Sequence, residues 1–497
     1  MKTTFMLVLL ATALVGALAS PVFAQTSAPI TMPDKIETHL GTLIFERGYP
    51  TEETTRKVFD ELDYQRAVQA YLWAYPVVSF ESIRIGVKRD LGLDYNEFTI
   101  ADKLADPKSV WLTANDTTVY ALTLIDLGKH GPMVVDIPPG AIVGLIDDYW
   151  QRSLTDVGLP GLDGDKGGKF LLLPPGYSGE VPGAGYHVLR GTMNDYSVMV
   201  RGIAVKGDFA GAEQVVRKMQ VYLWSERNNP KAAKFVSFSG KVMDTLPPDG
   251  IEYWARLASF INNNPVQERD RFFMAMLKPL GIEKGKEFKP DPRQHKILEE
   301  AARIGDAMGR VMLFEGEKRI SGANAFRGTQ WNWVVLNRPD QETEYYSQLD
   351  ERLHYTYGAI YTSPFIGSKK PGPGSEYVQV FKDKDGKRLD GAKSYRLHVP
   401  ANVPAMAFWS LTLYDTATRS MLQNPTNDAA HSSYDKLKTN ADGSIDLYFG
   451  PQAPAGSESN WVETVPGKGF YPMFRFYTPK EGVFDGTWTL PDVELIK

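Results

Sequence analysis

Apolar and polar positions along the chain fall into regimes of different period. From Thr51 to Tyr75, apolar residues recur at helical spacing, with Val58, Leu62, Ala67, Ala70, Tyr71 and Ala74 on one side. Thr51 stands before Glu52 and Glu53, the pattern of an N-cap followed by an acidic first turn. This predicts a helix that Pro76 ends or kinks, with a continuation to Arg84. From Thr117 to Val205 the pattern shortens to runs of Val, Leu, Tyr and Thr between Gly/Pro turns, which predicts antiparallel strands. Helical period returns over Phe209–Lys234, Asp249–Leu280 (broken near Pro265) and Asp291–Phe314. Asn332–Tyr361 is aromatic and open between helix and loop. Gly367–Ser375 is rich in Gly and Pro and reads as a hinge, and from Tyr377 onward the chain is β-rich again.

The two β-rich regions share an order of features. In the first, Val135-Asp136-Ile137-Pro138 leads into an apolar strand ending at Asp147-Asp148-Tyr149-Trp150, and a later strand ends in Arg201. In the second, Leu397-His398-Val399-Pro400 leads into Phe408–Asp415, and a later strand carries Arg475. Differences in spacing fall in turns, where insertions are tolerated. The expected fold class is α+β: two antiparallel β-sandwich, jelly-roll-like domains, a duplicated unit, with an N-terminal helix and a helical insertion between them. The expected divisions are 1–24 signal peptide, 25–50 leader, 51–208 first β domain, 209–366 helical insertion, 367–375 hinge and 376–497 second β domain. Regular strand–helix alternation is missing, which argues against a parallel doubly wound sheet.

Composition then narrows the setting. Lys2, the apolar stretch Phe5–Ala19 and Val22-Phe23-Ala24 before Gln25 have the layout of a secretory signal peptide cleaved near Ala24. The expected location is therefore periplasmic or secreted. No later run is long and apolar enough to predict a transmembrane segment. With no cysteine, the chain has no disulfides, thiol catalysis or thiolate metal sites. A formal net charge of −5 without a basic run argues against a nucleic-acid partner. The 24 Tyr, 24 Phe and 10 Trp suit sheet faces, and equally an aromatic-lined pocket for a small organic or carbohydrate-like ligand.

Several segments carry a family resemblance. Tyr71-Leu72-Trp73-Ala74-Tyr75-Pro76, Ala114-Asn115-Asp116-Thr117 with Tyr120, Asp126-Leu127 and Gly131-Pro132 resemble the bacterial domain-of-unknown-function family 1254. Trp409–Asp415, Phe474-Arg475-Phe476-Tyr477-Thr478-Pro479 and Asp485-Gly486-Thr487-Trp488 resemble family 1214. The resemblance implies an exported bacterial protein with β domains and helices between them. It implies no reaction.

Candidate chemistry clusters in a few places. Asn115-Asp116 ahead of the Tyr120 strand offers oxygens to a ligand or cation, or closes an Asx turn. Asp147 and Asp148 are adjacent on a strand and point to opposite faces, so one of them would need a partner from another strand to act as a general base. Otherwise the cluster is a strand end with Trp150 in the core. Arg201 and Arg475 are flanked by apolar neighbours, so each guanidinium needs a partner. That partner is either an anion or an internal acid, with Asp147 and Asp415 as candidates. His354, Tyr355 and Tyr357 with Arg352 would line a pocket between the β regions or lie on a helix or loop surface. The histidines have no metal spacing and no Gly-x-Ser-x-Gly occurs, so no metal, cofactor or serine nucleophile is expected.

The leading expectation is a protein that binds a small-molecule or carbohydrate ligand, or assembles in the envelope; a homo-oligomer is compatible with it. The ligand set is Asn115, Asp116, Tyr120, Tyr149, Trp150, Arg352 and Tyr357, with Arg201 and Arg475 structural or anion-binding. The alternative is an exported hydrolase or lyase using Asp116 and Asp147, with Tyr149 and arginine support.

Overall fold

The computed structural model describes residues 33–496. The signal peptide expected over 1–24 and its cleavage site lie outside them. The described residues divide into two compact units between Glu61 and Leu62. In the first unit, β1 (Lys35–Thr38), β2 (Gly41–Glu46) and β3 (Tyr49–Pro50) form an antiparallel sheet, so residues 35–50 are strands where a leader was expected. Helix α1 (Glu52–Leu91) begins where Thr51 Oγ1 accepts the Thr54 amide at 3.3 Å.

Pro76 does not end α1. A proline removes one helical N–H and strains the carbonyls one turn earlier. The carbonyl left without its helical partner is that of Leu72, and the carbonyls on either side of it receive side-chain donors: the Tyr253 hydroxyl donates to Tyr71 O at 2.7 Å and Arg352 Nη2 to Trp73 O at 2.9 Å. The helix runs through Pro76 with other elements bonded to its backbone there, which the periodicity of α1 alone does not reveal.

In the second unit the chain continues through β4 (Phe98–Ile100), β5 (Ser109–Val110) and β6 (Val119–Asp126). After the short α2 (Leu127–His130) come β7 (Met133–Ile137), β8 (Ile142–Asp148), β9 (Ser153–Gly158), β10 (Gly168–Leu173), β11 (His187–Arg190) and β12 (Asp195–Gly202). Helix α3 (Phe209–Val216) is followed by β13 (Gln220–Leu223), β14 (Phe235–Ser237) and β15 (Met243–Asp244). The helices α4 (Gly250–Asn263), α5 (Arg271–Leu277) and α6 (Pro292–Glu315) come next, then β16 (Asn332–Trp333) and α7 (Leu349–Gly358). The last strands are β17 (Ser375–Gln379), β18 (Tyr395–Val399), β19 (Ala405–Asp415), β20 (Ala430–Ser432), β21 (Ile445–Gly450), β22 (Trp461–Glu463), β23 (Phe470–Pro479) and β24 (Glu494–Leu495).

The fold is mixed α+β, and no sheet among the described residues closes into a barrel. The first β-rich half holds a sheet ordered β14-β4-β6-β12-β8-β9 and another ordered β11-β10-β7-β13. The second holds β16-β17-β23-β19-β20 and β22-β21-β18-β24. Most pairs are antiparallel, but β10·β11, β21·β22, β4·β14 and β5·β15 are parallel, which departs from the all-antiparallel expectation. The helix expected over Phe209–Lys234 stops at Val216, because Gln220–Leu223 pairs along β7 and that pairing overrides local helical period. Gly367–Ser375, expected as a hinge, folds back on itself as a closed turn, with Gly367 N donating to Ser375 O and Ser375 N to Phe365 O.

Helix α6 reaches its neighbours through two glycines one turn apart. A Cβ on Gly305 would stand 2.3 Å from the Tyr71 ring, and one on Gly309 2.3 Å from that of Tyr357. Tyr71 in turn stacks on Tyr253 of α4, with ring centroids 4.0 Å apart. Gly305→Ala is expected to lose about 1–3 kcal/mol by overpacking, more than the ~1 kcal/mol of helix propensity that Ala gains over Gly. Urea denaturation measures this, and a more stable variant would mean that Tyr71 swings aside freely.

Candidate functional site

The site is set by strand register. On the sheet containing β6 and β12, Arg201 lies directly opposite Tyr120; on the sheet containing β17 and β23, Arg475 lies directly opposite Tyr377. Directly opposed residues point to the same face. All four side chains are buried and line one cavity of about 30 Å³, together with Asn115 and Tyr361.

The polar groups around it are unevenly satisfied. Arg475 donates to Thr412 Oγ1 at 2.9 Å, to the Thr113 carbonyl at 3.1 Å and to the Tyr414 hydroxyl, which itself donates to Ala114 O. Among the described residues Arg201 hydrogen-bonds only to the Tyr377 hydroxyl, at 3.5 Å, and its Nε and Nη2 are enclosed without a partner. The Arg201 guanidinium lies against the rings of Phe365 (5.4 Å) and Tyr477 (5.7 Å). Neither arginine has an acid within ion-pair distance among the described residues. The internal pairs expected with Asp147 or Asp415 are absent: Asp415 binds Lys468 at 2.9 Å, and Asp147 Oδ2 accepts the Thr362 amide at 3.1 Å.

Asn115 Nδ2 donates to the hydroxyls of Tyr120 (2.6 Å) and Tyr477 (3.0 Å), while its Oδ1 accepts the Thr117 amide at 3.0 Å. The residue thus closes an Asx turn and also sits in the cavity wall. Two non-glycine residues of that wall, Thr113 (φ 54°) and Tyr361 (φ 69°), have left-handed backbone. For a side chain as bulky as tyrosine this is strained. The Tyr361 amide is held by Gln151 Oε1 at 3.1 Å, and its hydroxyl meets Ser197 Oγ at 2.8 Å.

The other expected site residues fall elsewhere, so the pocket expected to join them with Asn115 is corrected. Tyr149 stacks near Phe80, and Trp150 lies against Trp73 with centroids 4.6 Å apart; both belong to the core. Arg352 sits over Trp150 at 6.0 Å, bound to Gln341 Oε1 and Trp73 O, as a brace of α1. Tyr357 donates to Asp306 at 2.6 Å beneath Arg419. His354 is buried, with Nδ1 donating to Met312 O at 2.9 Å, and burial keeps it neutral. Asp116 is half-buried, with Oδ1 enclosed and unpartnered. Neither Asp116 nor Asp147 lines this cavity. Sequence reasoning placed Tyr355 beside Tyr357 as a possible pocket residue, and missed Tyr361 and Tyr377. For Tyr377, the signal was its place in the strand opposite Arg475.

Burial, then the charge of Asp428, pushes Asp116 up to about 7; burial alone is the chief cause for Asp148, at about 6. A carboxyl whose folded pKa lies above its unfolded value of 3.8 holds its proton longer in the folded state. Such a group stabilises the fold below the unfolded pKa, and that stability is lost as pH rises through the folded pKa. Asp116→Asn, which cannot ionise, should therefore gain melting temperature relative to the unsubstituted protein as pH climbs from about 4 to 7. Melts across that range check it; a constant difference between the two proteins would show that Asp116 ionises freely.

Residues 95–223 match the family described as protein of unknown function DUF1254, and residues 374–481 match the family described as protein of unknown function DUF1214. No curated protein matches the chain. Among solved structures, the VPA0106 protein from Vibrio parahaemolyticus is similar with a TM-score of 0.55 at 20% identity, over 88% of this chain and 100% of that one. At that identity the likeness concerns the fold alone. A putative uncharacterized protein from Burkholderia cenocepacia aligns over 89% of this chain and 97% of its own at 10% identity, with a TM-score of 0.33. The chain therefore carries a DUF1254 region followed by a DUF1214 region, in the order its motifs suggest.

Proposed function

We propose that this is an exported bacterial binding protein that holds a small organic ligand in the cavity between its two β-rich halves. The observation that carries the reading is the meeting, on one cavity, of two strand-borne arginines, each opposite a tyrosine and neither matched by an acid. Arg352 and Arg475 are bonded by carbonyls and side-chain oxygens, whereas two nitrogens of Arg201 are enclosed without a partner, which is costly for a buried charge. Convergent polar groups on aromatic and aliphatic walls are the usual make-up of a ligand site. The strained Tyr361 and Thr113 in the same wall add support, since such conformations gather at functional sites. Export rests on the N-terminal pattern Lys2, Phe5–Ala19 and Val22-Phe23-Ala24. Neither Asp116 nor Asp147 lines the cavity, so it offers the hydrolase or lyase reading no acid–base pair.

The two halves are read as copies of one two-sheet, sandwich-like unit. Taken in chain order, β6–β13 correspond one for one with β17–β24 in sheet order and pairing direction, including the parallel edge pairs. Those parallel edges set the unit apart from a jelly roll. Met199 and Arg201 then correspond to Met473 and Arg475. Counting along the same strands, Asp148 (opposite Tyr196), and not Asp147, is the counterpart of Asp415 (opposite Phe470). A duplicated unit that turns its arginine face toward its copy accounts for one site at the junction.

The test begins with the exported protein. Its mass should correspond to a chain starting at Gln25; an intact Met1 would remove the export reading. Thermal-shift screening against small organic acids, sugars and esters should then give stabilising compounds. Their effect should be lost in Arg475→Met and kept in Lys436→Ala, a change at an exposed site. Equal responses of both variants would place the ligand elsewhere.

A further inference from the structure

Resting on that reading of the cavity, we infer that the ligand is a small aliphatic acid whose carboxylate sits on the Nε–Nη2 edge of Arg201, with Arg475 as a second positive charge beside it. A guanidinium cannot shed its proton in a protein, so unlike a buried lysine it cannot become neutral. An enclosed cation without a counter-charge is unfavourable. The two Arg201 nitrogens left without partners are neighbours on the guanidinium, and together they form the fork that accepts a carboxylate through two parallel hydrogen bonds. The third nitrogen, Nη1, is turned to Tyr377. Arg475, by contrast, has its donors engaged by Thr412, Thr113 and Tyr414, so it contributes charge and not a free fork.

The surroundings favour an acceptor that arrives from outside. Burial keeps Tyr120 protonated, so its phenol cannot neutralise Arg201. Size selects among anions. A water needs about 10–15 Å³ of such space, so a cavity of about 30 Å³ suits a planar three-atom head better than a tetrahedral oxyanion. Trp111, Met199, Ile360 and Ile366 complete the wall and would meet an aliphatic stem.

The experiment is calorimetric titration of the mature full-length protein, in a carboxylate-free, low-salt buffer, with acetate, acetamide, chloride and inorganic phosphate. Acetate should bind, with acetamide, its neutral isostere, weaker by about tenfold or more. Phosphate should be excluded. Arg201→Met should weaken acetate by about tenfold or more, and Arg201→Lys, which keeps the charge without the fork, by less. Tyr377→Phe, which removes the hydrogen bond that Nη1 of Arg201 makes, provides a milder variant if Arg201→Met does not fold, and should weaken acetate several-fold. Lys436→Ala should behave as the parent protein. Acetamide binding as tightly as acetate would overturn the carboxylate inference while leaving a small-molecule site in place. Chloride or phosphate matching acetate, or acetate binding unchanged in both Arg201→Met and Tyr377→Phe, would overturn it too. If none of the four probes binds and the wider screen is also empty, the binding function itself falls.

Discussion

The register of two antiparallel strand pairs, β6 with β12 and β17 with β23, decides where two permanent charges sit. Strand side chains alternate between faces, so a slip of one residue would move each arginine and its facing tyrosine to the opposite side of the sheet. In the observed register Arg201 and Arg475 both line the same cavity. An arginine there cannot titrate away its charge, so everything around it must accommodate a cation. Arg475 is accommodated by a carbonyl and two hydroxyls, and Arg201 largely by aromatic faces.

The frame that holds these strands is built by close approach more than by ion pairs. Most of the salt bridges are at least partly exposed, where each contributes little. The interior depends instead on aromatic stacking, such as Tyr71 on Tyr253 and Trp73 on Trp150, and on the glycines of α6 that admit the Tyr71 and Tyr357 rings. Arg352 belongs to this frame. Its bond to the Trp73 carbonyl supports α1 next to Pro76, so a residue that reads as a ligand contact in the sequence is a helix brace in the fold.

Helix face explains why the aromatic segment near Tyr357 was only partly legible. Tyr355 and Tyr357 are two residues apart in α7, about 200° around the axis, so only one of them faces the cavity. Tyr355 lines it, while Tyr357 turns to Asp306 and Arg419. Nothing in the local pattern distinguishes the two, because both sides of α7 are buried. Tyr149 and Trp150 illustrate the same limit: a strand end rich in rings suits a pocket or a core equally well, and the packing of Phe80, Trp73 and Phe260 around them makes it a core.

What the sequence determined by itself is what depends on periodicity and on repeated order. The 3.6-residue period marked α1 and α6, the shared succession of proline, aromatic-acid strand and terminal arginine marked the two β-rich halves, and the motifs around Asn115 and Arg475 marked the DUF1254 and DUF1214 regions. Tertiary structure alone decided what requires partners distant in the chain. The contacts of α1 beside Pro76 come from Tyr253 and Arg352. The strand at Gln220–Leu223 depends on the exposed edge of β7. The absence of an acid beside Arg201 follows from where Asp147 and Asp415 bond instead. Each is a hydrogen bond or ion pair between residues far apart in sequence, and linear pattern holds no distance between such residues until the chain has folded.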